Sequence, residues 1–335
     1  MRAYELQKPG RDARWVQVER PDPRPGPGQA VVRIRAVSLN YRDAIISQGR
    51  YPGLGSMPLV PTSDGAGEVL AVGPGVTRVK PGDRVAPTFF QTWTDGPRPP
   101  GGPAALGGGV DGVLAEQVVV DAEGLVHLPT HLSFEAGATL PCAAVTVWNA
   151  LVSTGGLQAG QTVLALGTGG VSIFALQFGK ALGARVLVTS SQDAKLERAR
   201  ALGADGTVNY RTQPDWDARV LAMTGGQGVD HVVEVGGEKT LPQSIGSTRE
   251  GGQLYLIGLL SGAPGKPNEA LVASRKVRVH PIYVGSRAMF EDMNRLITQH
   301  RIEPVIDRVF PFAEAPEALR YLESGAHFGK VVISV

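Results

Sequence analysis

The sequence predicts an α/β chain: a doubly wound parallel β-sheet, covered by helices on both faces, joined to a smaller and partly open β-barrel. Three observations predict it. Short strands separated by turn clusters fill the first third, and from about residue 132 apolar runs alternate with helical stretches. The length of 335 residues, at roughly 150 per domain, leaves room for about two domains.

In the first third the β-type segments are 15–20, 30–37, 65–72, 83–87 and 115–120. Within 30–37, Val32, Ile34 and Ala36 alternate with Arg33 and Arg35, the period of a half-buried antiparallel strand. Turn clusters at 21–28, 73–75 and 80–83 separate these runs. Residues 91–112 have no periodicity and many breakers, which predicts a long surface loop, either a cover for a site or a mobile excursion. Further on, 162–166, 185–189, 207–210, 229–235 and 253–257 are continuous apolar or β-branched runs, as expected of parallel strands buried on both faces. Helical stretches 171–182 and 193–202 separate the first three, the second stopping at Gly203, which suits the left-handed turn past a helix end. The tail predicts a strand over 276–284 and a helix striped by Met289, Met293, Leu296 and Ile297. Another helix starts near Pro316 and ends before Gly325, and 330–335 closes as a strand.

Composition narrows the function. The 44 glycines and 25 prolines are about a fifth of the chain, against a usual share of roughly 12%, so many turns and close backbone approaches are expected. A net charge of +2 offers no electrostatic footprint for nucleic acid or an anionic membrane, which leaves a small molecule as the expected partner. The single cysteine, Cys142, can form neither an intramolecular disulfide nor a four-thiolate zinc site, in keeping with the reducing cytoplasm. The first residues lack the apolar core of a signal peptide. The uncharged run 162–179 is broken by Gly and Ser and reads as strand, turn and helix rather than a membrane span.

That run is the most informative segment. A strand leads into Gly167-Thr-Gly169-Gly170-Val171 and then a helix, the setting in which a glycine turn lets a pyrophosphate approach the backbone and the helix N-terminus. The pattern is that of a Rossmann-type dinucleotide site, with Ser172 where a third small residue packs helix against strand. At the end of the next strand a carboxylate would select NAD by holding the ribose hydroxyls. This chain has Ser190, Ser191 and, a turn later, Lys195, groups that suit a 2′-phosphate. NADP(H) is therefore the expected cofactor.

With the glycine turn, the stretch DGAGEVLAVGPGVTRVKPGDRV at 64–85, ALGAD at 201–205, VNYR at 208–211 and HFGKVV at 327–332 resemble the medium-chain dehydrogenase/reductase superfamily. The resemblance is strongest to its zinc-independent quinone-oxidoreductase and alcohol-dehydrogenase-like members. It implies a GroES-like catalytic barrel from 1–130, completed by 271–335, around an NADP(H)-binding domain of 131–270. It also implies a homodimer or homotetramer.

Zinc members of the superfamily take their catalytic metal from three positions that match Asn40, Ser63 and Cys142 here. One thiolate leaves such a site two protein ligands short, so no metal is expected. The six histidines show no ligand spacing. The segment Asn40 to Pro52 resembles the Asn and Gly-x-Tyr pattern of quinone and enoyl reductases, whose matching Tyr is assigned as proton donor. That makes Tyr51 the catalytic candidate, with a purely space-shaping role as the alternative. Asp43 nearby reads as a buried acid capping a turn. The resemblance also places Asn40 and Thr146 near the nicotinamide ribose, Tyr210 against the adenine end, and Gly258 and Phe328 along the cofactor. Ser286 and Arg287 follow a strand and read as a solvated helix start rather than a phosphate contact.

The expected activity is NADPH-dependent hydride transfer to a quinone or α,β-unsaturated carbonyl, which needs only a proton donor because the substrate delocalises the charge. Two alternatives stand beside it: a metal-free NADP-dependent alcohol dehydrogenase or aldehyde reductase, and a non-catalytic NADPH-binding structural protein.

Overall fold

The computed structural model describes all residues except 11, 12, 52, 101–103 and 259–268. Seven strands come first: β1 (Arg2–Leu6), β2 (Trp15–Glu19), β3 (Gln29–Ser38), β4 (Asp64–Val72), β5 (Arg84–Pro87), β6 (Gln117–Asp121) and β7 (Leu125–His127). Strand β3 realises the alternation read in 30–37, with Arg33 and Arg35 exposed and Val32, Ile34 and Ala36 buried. Ten residues long, it pairs antiparallel with both β4 and β6. The next six strands are β8 (Thr162–Ala165), β9 (Arg185–Ser190), β10 (Gly206–Asn209), β11 (Val229–Glu234), β12 (Thr248–Leu256) and β13 (Arg278–Pro281). The last two are β14 (Ile306–Pro311) and β15 (Lys330–Ser334).

The chain divides into two units, Met1–Val145 with Val284–Val335, and Thr146–Tyr283. In the first, β14 and β15 join the N-terminal strands in one sheet of order β14-β15-β3-β4-β5-β7, with β6 also on β3. Its apolar core takes in Ile34, Val69, Leu125 and Ile333 together with Phe310 and Leu322 from the tail. The boundaries expected from the sequence were 130/131 and 270/271. The helix Phe134–Ala138 packs on β3 and β4, which keeps it with the first unit, and β13 completes the parallel sheet, which keeps it with the second.

The second unit is a sheet of six strands, all parallel, in the order β10-β9-β8-β11-β12-β13. This is the strand order of two mononucleotide-binding halves, reversing direction between β8 and β11. Val163, Leu164, Val186, Leu187, Val232 and Leu254 are fully buried along it, as continuous apolar strands require. The helices Gly170–Ala181 and Asp193–Ala201 fall where the sequence places them, and Gly203 takes the left-handed turn with φ 97°.

Two expectations are corrected. Residues 91–112 are a surface loop only in part: 95–100 are exposed, but Trp93, Leu106, Gly107 and Gly108 are buried, and Gly107 and Gly112 lie so close to the Thr62 backbone that any side chain there would collide with its carbonyl. The run 276–284 holds a strand only over Arg278–Pro281. The sequence reading also passed over the helix Tyr41–Ser47, whose Ser47 hydroxyl accepts the Trp15 indole N–H at 3.0 Å and so ties it to β2. Among the described residues no helix is long and apolar enough to cross a membrane.

Candidate functional site

In the second unit the residues expected to hold a cofactor follow the carboxyl ends of neighbouring parallel strands. Gly167, Gly169, Gly170 and Val171 come after β8, Ser190 ends β9 and Ser191 follows it, Tyr210 follows β10 and Gly258 follows β12. In an open α/β sheet this edge, at the point where strand order reverses, is where ligands bind. Gly167 has φ 74°, and a side chain added at Gly167 or Gly169 would meet nothing within 4 Å, so the turn leaves open space against bare backbone. Gly169 caps the 12-residue helix Gly170–Ala181 with no side-chain hydrogen bond, leaving its first N–H groups for an anion. Ser172 is buried and donates to the Leu166 carbonyl at 2.5 Å, pinning helix to strand. These features fit a dinucleotide pyrophosphate.

The ribose end is more mixed. Ser190 is buried, and its hydroxyl accepts the Gln192 N–H at 3.4 Å. Ser191 and Lys195 are half-buried, while Tyr210 is exposed. The sequence reading missed Asp193, an acid in the first turn of Asp193–Ala201, whose carboxylate accepts from Asn209 Nδ2 at 2.7 Å. It also missed Glu234, fully buried at the end of β11. Its carboxylate accepts the N–H groups of Gly236 (2.6 Å) and Gly237 (3.0 Å) and the hydroxyls of Thr240 (2.7 Å) and Ser244. Glu234 thus fixes the loop after β11, and Gly258 donates to its carbonyl at 3.3 Å. An acid followed by paired glycines was the available signal.

The first unit gathers a different set. Asp64, at the start of β4, is fully buried and accepts from the Ser63 hydroxyl at 2.6 Å and the Cys142 N–H at 3.1 Å. Burial pushes its carboxyl up from the usual range, opposed by the Lys330 ammonium at 4.0 Å. Lys330 in turn donates to the Leu39 carbonyl and to Asn40 Oδ1, both at 2.7 Å. Asp43 accepts the Asn40 N–H at 2.8 Å, the turn cap expected of it, and burial raises its carboxyl to about 6. Tyr51 is half-buried with the Arg42 guanidinium 4.9 Å from its ring centre, and that guanidinium also lies 4.7 Å from Phe89. Phe328 of this unit is buried just before β15, while Thr146, which opens the second unit, is buried on the helix Val145–Trp148.

Two models of known families match: the alcohol dehydrogenase GroES-like domain over residues 26–130 and the zinc-binding dehydrogenase domain over 170–299. A zinc-type alcohol dehydrogenase-like protein of Schizosaccharomyces pombe is 48% identical over 316 residues, which cover 92% of this chain and 91% of that protein. The chain belongs to the medium-chain dehydrogenase/reductase superfamily. A quinone oxidoreductase of Pseudomonas aeruginosa is 33% identical, covering 92% of each chain. Among solved structures, a putative alcohol dehydrogenase from Sinorhizobium meliloti superposes with a TM-score of 0.93 at 42% identity, covering 100% of this chain and 98% of that one. A mycobacterial protein complexed with NADPH superposes with 0.83 at 26% identity, covering 100% of both.

Within that superfamily the three positions that correspond to zinc ligands do not fit a metal here. The Asn40 oxygen is taken by Lys330, the Ser63 hydroxyl is spent on Asp64, and Cys142 alone leaves a metal two protein ligands short. Among the described residues no three His, Cys, Asp or Glu side chains converge as metal ligands. His127 pairs with Asp83 at 3.1 Å, His131 lies 3.3 Å from the Ile302 carbonyl, and His231 is buried between Tyr255 and Gln161. Ser286 caps the helix Arg287–His300 through the Met289 N–H, and Arg287 is paired with Glu123, so it is engaged in structure.

Proposed function

We propose that the chain is an NADP(H)-dependent oxidoreductase that works without zinc and transfers hydride to a quinone or α,β-unsaturated carbonyl. The observation that carries this is the open glycine turn before an uncapped helix, in a chain whose metal-matching positions are an amide, a hydroxyl and a single thiol. The bound cofactor supplies the hydride. The turn at Gly167, Gly169 and Gly170 holds its pyrophosphate by backbone N–H groups and the helix N-terminus. Ser191 and Lys195 meet the 2′-phosphate, with Ser190 shaping the turn that presents them, and Tyr210 covers the adenine end. Thr146, Asn40, Gly258 and Phe328 line the rest of the cofactor's path. Tyr51 delivers the proton to the reduced substrate. The NADPH complex of the mycobacterial relative and the quinone oxidoreductase of Pseudomonas aeruginosa support the reading. The protein acts as a homodimer or homotetramer in the cytoplasm.

A second reading, a metal-free alcohol dehydrogenase or aldehyde reductase, is favoured by the alcohol dehydrogenase names of several relatives. Asp193 is the acid an NAD(H) preference would use, but Asn209 holds it. Cofactor titration tests the assignment. NADPH is expected to bind at least tenfold tighter than NADH, a difference of roughly 1.4 kcal/mol, and Lys195→Ala to weaken NADPH far more than NADH. Equal affinities in the parent protein would overturn the choice of cofactor.

A further inference from the structure

Lys330 stands at the start of the last strand, yet it is buried and reaches an amide 290 residues away. Its ammonium carries only donors, so the end of the Asn40 side chain that meets it at 2.7 Å must be the oxygen. The orientation that a side-chain amide otherwise leaves open is thereby fixed, and the NH2 faces away from Lys330. The backbone is held as well, because Asp43 accepts the Asn40 N–H at 2.8 Å. The amide lies near enough to Asp64 to help hold that carboxyl down, but Nδ2 is enclosed and finds no acceptor in hydrogen-bond geometry among the described residues. An enclosed donor without an acceptor is uncommon, since its lost hydration goes uncompensated. Asn40 thus presents an N–H beside the Asp64 carboxylate that makes no full hydrogen bond among the described residues, and a buried cation sets its direction.

We propose that Lys330 is a positioning residue that locks the Asn40 amide by its oxygen, so that the Asn40 NH2 is offered to an oxygen acceptor of the bound ligand. The acceptor is the carbonyl oxygen of the substrate or an oxygen of the nicotinamide cofactor. A carbonyl oxygen gains negative charge as hydride arrives, and a donor already aimed at it needs no reorganisation. The inference rests on the oxidoreductase reading above.

The chain has five asparagines, so selective 15N labelling gives five pairs of side-chain amide signals. The Asn40 pair is the one lost in Asn40→Asp. That signal is expected to shift on addition of NADPH alone, or of saturating 2-cyclohexenone alone, and the ligand that moves it identifies the acceptor. Lys330→Met should abolish the shift and Lys330→Arg should restore it. Asn40→Asp keeps an acceptor for Lys330 but removes the donor. It should therefore lose at least tenfold, in NADPH affinity if the acceptor is on the cofactor, or in kcat at saturating NADPH if it is on the substrate. If Lys330→Met fails to fold because Asp64 is left unpaired, the double change with Asp64→Asn removes both charges and carries the same test. No shift with either ligand, or an undiminished shift in a folded Lys330→Met protein, overturns the proposal. A parent protein that binds NADPH but reduces no carbonyl overturns the oxidoreductase reading instead, and the amide signal still reports on Lys330.

Discussion

Tyr51 lies half-buried against a cation. The guanidinium of Arg42, set between the Tyr51 and Phe89 rings, contributes on the order of 0.5–1 kcal/mol to holding the ring where it lies. If the hydroxyl delivers the proton, Tyr51→Phe keeps cofactor affinity but lowers enone turnover by roughly two to four decades. The enone is the right substrate because its carbon must be protonated, whereas a reduced quinone takes its proton from water. Turnover within a few-fold of the parent would make Tyr51 a wall of the site. Tyr51 and Asn40 were legible as a motif in one short segment. Lys330 was not, because a lysine opening a terminal strand reads as solvated, and only the fold reveals that it is buried beside Asn40 and Asp64.

At the scale of elements, the parallel strands were legible because continuous apolar runs have one reading in an alternating pattern, and the glycine turn marked their functional edge. The helix Tyr41–Ser47 was missed because seven residues give barely two turns of periodicity. The packing of 104–112 was missed because glycines that fit against Thr62 look, in sequence, like breakers. The sheet of the second unit also carries a buried polar row: His231 on β11 meets the Tyr255 hydroxyl on β12 at 2.7 Å and Gln161 at 2.9 Å, and Tyr255 stacks on His280 of β13. Burial, against the pull of Asp230 and with the help of Arg249 and Arg278, lowers His231 to about 4 from an ordinary 6.5. The fold therefore favours the neutral ring, and the unfolded chain takes up the proton first as pH falls. This contribution is complete above about pH 6.5 and is lost towards pH 4, on the order of 2–3 kcal/mol in all. His231→Gln is expected to lose less Tm than the parent between pH 7 and pH 5, with His280, also lowered, leaving a residual slope. An identical acid-side loss in the variant would show that the row does not titrate.

At the scale of the whole molecule, the tail's return to the first unit has a chemical consequence, since Lys330 brings a cation to the group of residues that match the metal positions of zinc relatives. Two domains and the fold class were legible from pattern; that the two chain ends share one sheet was carried by family resemblance, since nothing in periodicity links residues so far apart. The proposed reaction is hydride transfer from NADPH without a metal. Its most direct test is the rate of NADPH oxidation by 2-cyclohexenone, catalysed by protein dialysed against a strong chelator and checked for zinc. Well below one zinc per chain and a rate unchanged by the chelator are expected. Stoichiometric zinc, with turnover that disappears on chelation and returns with added zinc, would contradict it.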